Sequence, residues 1–201
     1  MIATEGGRGG ADDTDAQNTT QGGGGVDVEL LEKDELEIGK KEAGFLIGER
    51  GFTKRKVQKV SNTRIEIADS TTNPETSIVC IRGTETNRAK ARRYVAWVLR
   101  QPEGKIFCDL GDDVVRENVS VVDVPPEAMA FVVGAKGRTL RNVEEEYGTL
   151  MFFGHTEKDQ PETSEKLIIC GDRENRRGAE LKVMSSVETK VEGYFVDYEK
   201  N

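Results

Sequence analysis

Apolar and polar residues follow one another along this chain in blocks that predict a single order of elements, used twice. Period-two alternation indicates strands, and apolar residues spaced three and four apart indicate helices. The blocks of the first half are, in order, a strand at Leu36 and Ile38, a short apolar helix over 43–47, a helix from Gly51 to about Asn62, strands over 63–67 and 77–82, and a helix from Asn87 to about Gln101. Pro102 ends the last helix, because proline cannot continue it.

The second half of the chain repeats this order. Its blocks are a strand over 119–124, a short helix that opens at Pro125-Pro126 and ends at Val133, a helix carried by Leu140 and Val143, strands over 149–153 and 167–170, and a helix from Arg173 to about Val191. A polar loop over 154–166 takes the place of the shorter loop over 69–76. We therefore predict an α+β fold built from two strand–helix–helix–strand–strand–helix units.

The repeat is also visible residue by residue. The stretch Phe45-Leu-Ile-Gly-Glu-Arg-Gly51 returns 86 residues later as Phe131-Val-Val-Gly-Ala-Lys-Gly137. Asn87-Arg88 matches Asn175-Arg176 at a spacing of 88, so the second copy holds two extra residues in between. A long repeat with one small slip indicates one supersecondary unit used twice, with a tolerant loop at the slip.

Each copy places Gly-x-x-Gly between its two short helices. Glycine lets two helices meet at a tight turn and lets another backbone come close. The unpaired N–H groups at the start of the second helix then favour a phosphate. A plain helix–helix turn explains one copy equally well, but two copies with basic residues around both favour phosphate binding.

Both copies resemble the type I K homology (KH) domain, as in the tandem modules of poly(C)-binding and vigilin-like proteins. Ala43-Gly-Phe-Leu-Ile-Gly-Glu-Arg-Gly-Phe-Thr53 and Ala130-Phe-Val-Val-Gly-Ala-Lys-Gly-Arg-Thr-Leu140 carry the resemblance, which covers about residues 34–101 and 118–193. It implies three-stranded antiparallel sheets, each packed on three helices. The expected division is a flexible, acidic, Gly-rich tail over 1–33, KH domains over 34–102 and 118–195, a linker over 103–117 and a tail over 196–201.

The resemblance also implies a set of RNA-binding residues. In this family a groove holds about four unpaired nucleotides, and the GxxG loop holds their backbone. The loops would be Gly48, Glu49, Arg50 and Gly51 in the first copy, and Gly134, Ala135, Lys136 and Gly137 in the second. The aliphatic groove floors would be Ile47, Val57 and Ile67, and Val133, Leu140, Val143 and Phe153. Phosphates would be attracted by Arg50, Lys54, Arg55 and Arg64, and by Lys136, Arg138 and Arg141.

Three features depart from this pattern. Lys54 stands where the family has an aliphatic residue, as Leu140 is in the second copy, and Glu49 places a carboxylate in the first loop. Lys54 either covers the groove and touches a phosphate or marks an altered first groove. In the second copy, the acidic run 144–146 is expected to be a solvated helix face that weakens long-range attraction.

The net charge of −8 is distributed unevenly along the chain. Residues 34–102 carry +5, whereas residues 1–33, 103–117 and 118–201 carry −5, −3 and −5. The first copy is therefore a basic module inside an acidic chain, so the overall charge does not exclude nucleic acid.

The remaining residues argue against several other classes. With His155 as the single histidine and no Cys-x-x-Cys, we expect no metal site. Cys80 and Cys170 lie in corresponding apolar runs and are expected to be small buried hydrophobic residues, and Cys108 stands in the linker. The sequence shows no nucleophile–base pair and no nucleotide-binding loop, so we expect neither an enzyme nor a cofactor.

Location follows from two absences in the sequence. No apolar run approaches the roughly 20 residues that cross a membrane. No sorting signal is recognisable, so a cytoplasmic or nuclear location is expected.

Two functions remain from different classes. The first is a non-catalytic single-stranded RNA-binding protein in post-transcriptional regulation, with two grooves in tandem and single-stranded DNA as a variant ligand. The alternative is a KH-fold scaffold that binds proteins or itself, with one or both grooves degenerate. Tyr94, Trp97 and the acidic segments would then serve an interface. With either function, residues 105–110 are expected to form an extra edge strand or an ordered linker.

Overall fold

The computed structural model describes residues 32–103, 106–108, 117–156 and 165–196. The first repeat consists of β1 (Lys33–Gly39), α1 (Lys40–Ile47), α2 (Phe52–Ser61), β2 (Arg64–Asp69), β3 (Thr76–Arg82) and α3 (Glu85–Arg100). The second consists of β4 (Val119–Val124), α4 (Pro126–Val133), α5 (Arg138–Tyr147), β5 (Leu150–Gly154), β6 (Glu165–Cys170) and α6 (Arg173–Lys190). The predicted tails over 1–33 and 196–201 lie outside the described residues apart from 32, 33 and 196.

The predicted elements form in the predicted order, with small differences at the helix starts. Helix α1 begins at Lys40 and not at Ala43 as predicted. The first turn was missed because its residues are polar and do not contribute to an apolar pattern. Helix α3 begins at Glu85, because the Thr84 side chain accepts a hydrogen bond from the Asn87 N–H (3.4 Å) and caps the helix there. Pro126 opens α4 as predicted, at a position where its missing N–H costs nothing.

Each repeat forms a three-stranded antiparallel sheet whose last strand lies in the middle. The strand orders are β1-β3-β2 and β4-β6-β5. In β3 the inward-facing residues Val79 and Ile81 are fully buried. Leu167 and Ile169 occupy the same places in β6 and are also fully buried. This β-α-α-β-β-α order confirms the predicted fold class.

A buried arginine ties the last helix of each repeat to its sheet. The Arg88 guanidinium donates to the Gly83 carbonyl (2.8 Å), and the Arg176 guanidinium donates to the Gly171 carbonyl (2.9 Å). Both side chains are 7% exposed. The arginine of the Asn-Arg pair that repeats at a spacing of 88 therefore has a structural role in the fold.

The two repeats pack on each other through α3 and the outer face of the second sheet. Tyr94 and Trp97 project from α3 and are 2% and 5% exposed. The Trp97 ring lies 5.7 Å from the Phe152 ring, centroid to centroid. Ile168 and Cys170 of β6 belong to the same buried cluster. Tyr94 and Trp97 thus form an interface inside the chain, so they supply no surface to a protein partner.

The segment 106–108 closes one edge of this interface. The His155 N–H donates to the Ile106 carbonyl (2.7 Å), and the Cys108 N–H donates to the His155 carbonyl (2.8 Å). This makes one parallel bridge, Phe107 with His155, beside β5. The expected extra edge strand is thus a single bridge within the described residues, while residues 105, 109 and 110 lie outside them.

The cysteines are free thiols in unequal surroundings. Cys170 is fully buried as predicted, and Cys108 is fully buried in the interface. Burial raises the pKa of Cys108 to about 12, so this thiol is inert at neutral pH. The prediction that Cys80 is buried is wrong in degree. It is half-buried, because it lies on the outer face of the first sheet between Glu35 and Glu66.

Candidate nucleic-acid interface

The first glycine of each GxxG loop is required by conformation and by space. Gly48 has φ 69° and ψ 179°, and Gly134 has φ 70° and ψ 175°, a region that is essentially restricted to glycine. A Cβ at Gly48 would collide with the Thr53 side chain, and one at Gly134 with that of Thr139. The matched threonines therefore close the loop from behind in both repeats.

The second glycine of each loop starts the next helix. Gly51 and Gly137 lie in the left-handed region, with φ 76° and 77°, at the N-caps of α2 and α5. No side chain caps either helix start. The first N–H of each helix instead donates inside the turn, from Phe52 to the Glu49 carbonyl and from Arg138 to the Ala135 carbonyl. The positive end of the helix dipole at each turn suits a phosphate.

The residue before each second glycine is an exposed cation in a left-handed conformation. Arg50 has φ 50° and Lys136 has φ 53°. Such values are uncommon for residues other than glycine. The two loops thus share one backbone geometry, and each presents a cation at its tip. They differ one residue earlier, where Glu49 places a carboxylate and Ala135 does not.

The predicted groove floors combine core and surface residues. Val57 and Val143 are 0% and 6% exposed and lie in the cores of their repeats. Ile47 is exposed at 38%. The other predicted floor residues, namely Ile67, Val133, Leu140 and Phe153, are half-buried. Val57 therefore supports the groove from beneath and offers no surface to a base.

The predicted phosphate-binding cations of the first repeat have different neighbours and different degrees of exposure. Arg64 is exposed and forms an ion pair with Glu66 on the same strand (2.9 Å). Arg55 lies over the Phe52 ring, 4.8 Å from its centroid. Lys54 is half-buried.

Parts of both loops face shared clefts between the repeats. The larger cleft has a volume of about 710 Å³ and lies between α2 and α5; the smaller, of about 490 Å³, adjoins it. Predicted residues on the larger cleft are Glu49, Arg55, Ala135, Lys136, Arg138 and Arg141. Those on the smaller cleft are Gly48, Glu49, Gly137, Leu140 and Arg141. The remaining predicted residues line neither cleft: Ile47, Arg50, Gly51, Lys54, Val57, Arg64, Ile67, Val133, Gly134, Val143 and Phe153.

Several residues of the larger cleft were missed by the sequence analysis. Phe52, Lys56 and Lys59 line it from the first repeat, and Asn142 lines it from the second. The signal was present in the sequence, because Phe52, Arg55, Lys56 and Lys59 follow a spacing of three and four on α2. That spacing places them on one exposed flank of the helix.

Glu144 lies at the boundary between the repeats, so the predicted solvated helix face is wrong for this residue, whereas Glu145 and Glu146 are exposed as predicted. It is 5% exposed, and its Oε1 accepts a hydrogen bond from the Met151 N–H (2.8 Å). Its Oε2 pairs with the Lys56 ammonium of the first repeat. At the equivalent place in the first repeat, the amide oxygen of Gln58 accepts from the Ile65 N–H (3.0 Å). The carboxylate thus keeps a bond to the edge strand and adds an ion pair between the repeats.

Burial raises the pKa of Glu144 above its ordinary value of 4.5, and the nearby Lys56 lowers it by less. The stability that this shift contributes is fully present below pH 4.5 and is lost as the pH rises through the raised pKa. Glu144→Gln keeps an acceptor for Met151, as Gln58 shows, but does not titrate. We therefore expect the free energy of unfolding of the wild type, relative to the Gln variant, to fall as the pH rises from 4.5. Urea denaturation over a pH series measures this difference, and a flat or rising difference would contradict the assignment.

The described part of the chain was also searched for a metal site and for a membrane-spanning helix. Within it, no group of three or more His, Cys, Asp or Glu side chains is placed to hold a metal ion. None of the helices in the described ranges combines the length and the apolar composition of a membrane span.

Comparisons with known proteins agree with the repeated geometry. The KH domain family model matches residues 33–96 and 119–185, together more than half of the chain. PAB1-binding protein 2 of Saccharomyces cerevisiae is 27% identical over 106 residues, which are 52% of this chain and 24% of that protein. The chain thus spans about a quarter of that relative's length.

Solved structures from Pyrococcus horikoshii are also similar. The structure of Dim2p is 22% identical, with 78% of this chain and 90% of that chain covered and a TM-score of 0.31. A chain of the a/eIF2alpha–aDim2p–rRNA complex is 22% identical, with 79% and 88% covered and a TM-score of 0.30. The family match falls on both repeats and on both GxxG turns, and the chain belongs to the KH domain family.

Proposed function

We propose that this protein binds single-stranded RNA without catalysing a reaction, and that it acts in post-transcriptional regulation of RNA. KH domains recognise unpaired nucleotides, about four in each groove. The proposal assigns one groove to a domain over 34–102 and the other to a domain over 118–195. One observation carries it: both GxxG turns keep the same backbone conformation, with a cation at the tip of each.

The chemistry of each loop supports phosphate binding. The glycines remove the side chains that would keep a nucleic-acid backbone away. The positive ends of the α2 and α5 dipoles would then face the phosphate, while Arg50 or Lys136 supplies the opposite charge. Bases would rest on the half-buried apolar residues beside the loop, Ile67 in one groove and Phe153 in the other.

The two grooves are unequal, and we propose that the second contributes more affinity. Its loop has Ala135 where the first has Glu49, whose carboxylate repels phosphate at close range. Its helix presents the aliphatic Leu140 where the first presents Lys54. The first groove then adds affinity mainly by tethering, because two linked weak sites bind one strand more tightly than either alone.

Selection from a randomised RNA pool tests this function. We expect the intact chain to enrich short unpaired motifs, with single-stranded DNA of the same sequence binding more weakly if the 2′-hydroxyl is read. Enrichment of base-paired RNA, or no enrichment over the starting pool, would count against the proposal.

A further inference from the structure

Helix α2 separates the groove of the first repeat from the larger cleft between the repeats. Gln58 lies on the flank of α2 that faces the edge strand β2, where it accepts the Ile65 N–H. Phe52 and Lys59 lie away from that flank, Arg55 lies between them and Gln58 on the helix surface, and all three line the cleft. A ligand in the cleft would therefore meet these three side chains without occupying the first groove.

The cleft carries a surplus of positive charge from both walls. Its cations are Arg55, Lys56, Lys59, Lys136, Arg138 and Arg141. Its carboxylates are Glu49, Glu144 and Glu145. Lys56 and Glu144 neutralise each other, and within the described residues no other member of this set forms an ion pair. Five cations thus face two unpaired carboxylates, which favours a polyanion.

One wall of the cleft also offers a platform for a base. Phe52 is 46% exposed, and the Arg55 guanidinium lies 4.8 Å from the centre of its ring. Unpaired bases stack on aromatic rings and on arginine planes, and such stacking accepts any base. A charged cleft with a stacking surface suits a single strand better than a duplex, whose bases are already stacked.

We propose that one RNA strand bound in the second groove continues into the larger cleft and is held there by Phe52, Arg55 and Lys59 of the first repeat. This inference rests on the proposed RNA-binding function and extends the second groove, whose Lys136, Arg138 and Arg141 also line the cleft, onto the surface of α2. The smaller cleft provides the connection, because Gly48 and Glu49 of the first loop line it together with Gly137 and Leu140 of the second. The two repeats then form one continuous site, and Arg55 serves the cleft instead of the first groove.

The test compares short and long RNA on the intact chain. Lys59→Glu reverses one charge in the cleft, and Lys182→Glu makes the same change at an exposed residue of α6 that lines neither cleft. For a single-stranded RNA of ten nucleotides at ~100 mM salt, we expect Lys59→Glu to weaken binding about tenfold and to reduce the salt slope by about 1. Lys182→Glu should leave both values unchanged, and a four-nucleotide RNA should bind all three proteins equally.

Lys59 also lies against Gly148 of the second repeat, so its substitution can disturb the packing of the repeats. Arg55→Glu is therefore the second variant. If it weakens RNA binding while its unfolding temperature stays unchanged, disturbed packing of the repeats is excluded as the cause of the weaker binding. The wild type could bind RNA while Lys59→Glu and Arg55→Glu bind the ten-nucleotide RNA as tightly as Lys182→Glu does. That result would contradict RNA binding in the cleft, but it would not contradict the proposed binding of RNA in the grooves. An equal loss for the four-nucleotide RNA would also overturn it, since Lys59 would then belong to a single groove. If the wild type binds no RNA, the proposed function itself fails.

Discussion

Ala135→Asp combined with Lys136→Asp is expected to weaken binding of single-stranded RNA by about 100-fold at ~100 mM salt. A neutral residue and a cation are then replaced by two carboxylates beside the start of α5, where they repel a phosphate. The fold should survive, because aspartate accepts the left-handed conformation of position 136 more readily than most residues. Fluorescence anisotropy with labelled RNA measures the affinity, and urea denaturation checks the fold.

The matched control places the same pair of residues elsewhere. Leu181 and Lys182 are an exposed apolar residue and an exposed cation on α6, so Leu181→Asp with Lys182→Asp makes a similar change in charge and polarity. The corresponding change in the first loop, Glu49→Asp with Arg50→Asp, should cost only about tenfold, because a carboxylate is already present there. If the second-loop variant binds RNA as well as the α6 control does, the second groove is not the site.

Trp97→Ala is expected to lower the free energy of unfolding by about 3–5 kcal/mol. The side chain is 5% exposed and fills the space between α3 and the second sheet, against Phe152. Its loss leaves a cavity at the centre of the contact between the repeats, so the two repeats should also unfold in separate transitions. Circular dichroism during urea denaturation detects both effects.

Ser185 is the control for this substitution, because it stands at the place of Trp97 in the second repeat and is exposed on α6. Ser185→Ala should leave the unfolding curve unchanged. A loss below about 1 kcal/mol for Trp97→Ala would contradict the packing of the repeats described above.

The architecture of each repeat was predictable because it depends on local patterns. The period of the apolar residues, the prolines and the glycines fix the elements and the two turns between short helices. The turn needs φ near 70° at Gly48 and Gly134, which glycine supplies without strain. The elements and the GxxG turns could therefore be predicted from local sequence patterns alone.

The packing of the repeats was not predicted, although the sequence contains its signal. Where the two copies differ, the differences are complementary. Glu66 on the outer face of the first sheet becomes Phe152 in the second, and Trp97 on the last helix of the first repeat becomes Ser185. One apolar sheet face and one aromatic helix face remain, and they pack together. An alignment of the two repeats that considers only identical or similar residues does not reveal these complementary differences.

The site was harder to predict than the fold, because it depends on residues far apart in sequence. Glu144 was predicted to be solvated as part of an acidic run, but it is buried and pairs with Lys56, which lies 88 residues away in the sequence. Likewise, the flank of α2 with Phe52, Arg55 and Lys59 gains a meaning only when α5 lies opposite. Neither fact follows from the pattern of one repeat.

Titration of the intact chain with a randomised single-stranded RNA, over a series of salt concentrations, tests the central claim most directly. We expect binding at low salt that weakens as salt rises, with a slope of log affinity against log salt of about −2 to −4, from a few phosphate contacts. An RNA hairpin of equal length should compete poorly, because its bases are paired. No binding at low salt, or binding with no salt slope, would contradict the proposal that this protein binds single-stranded RNA.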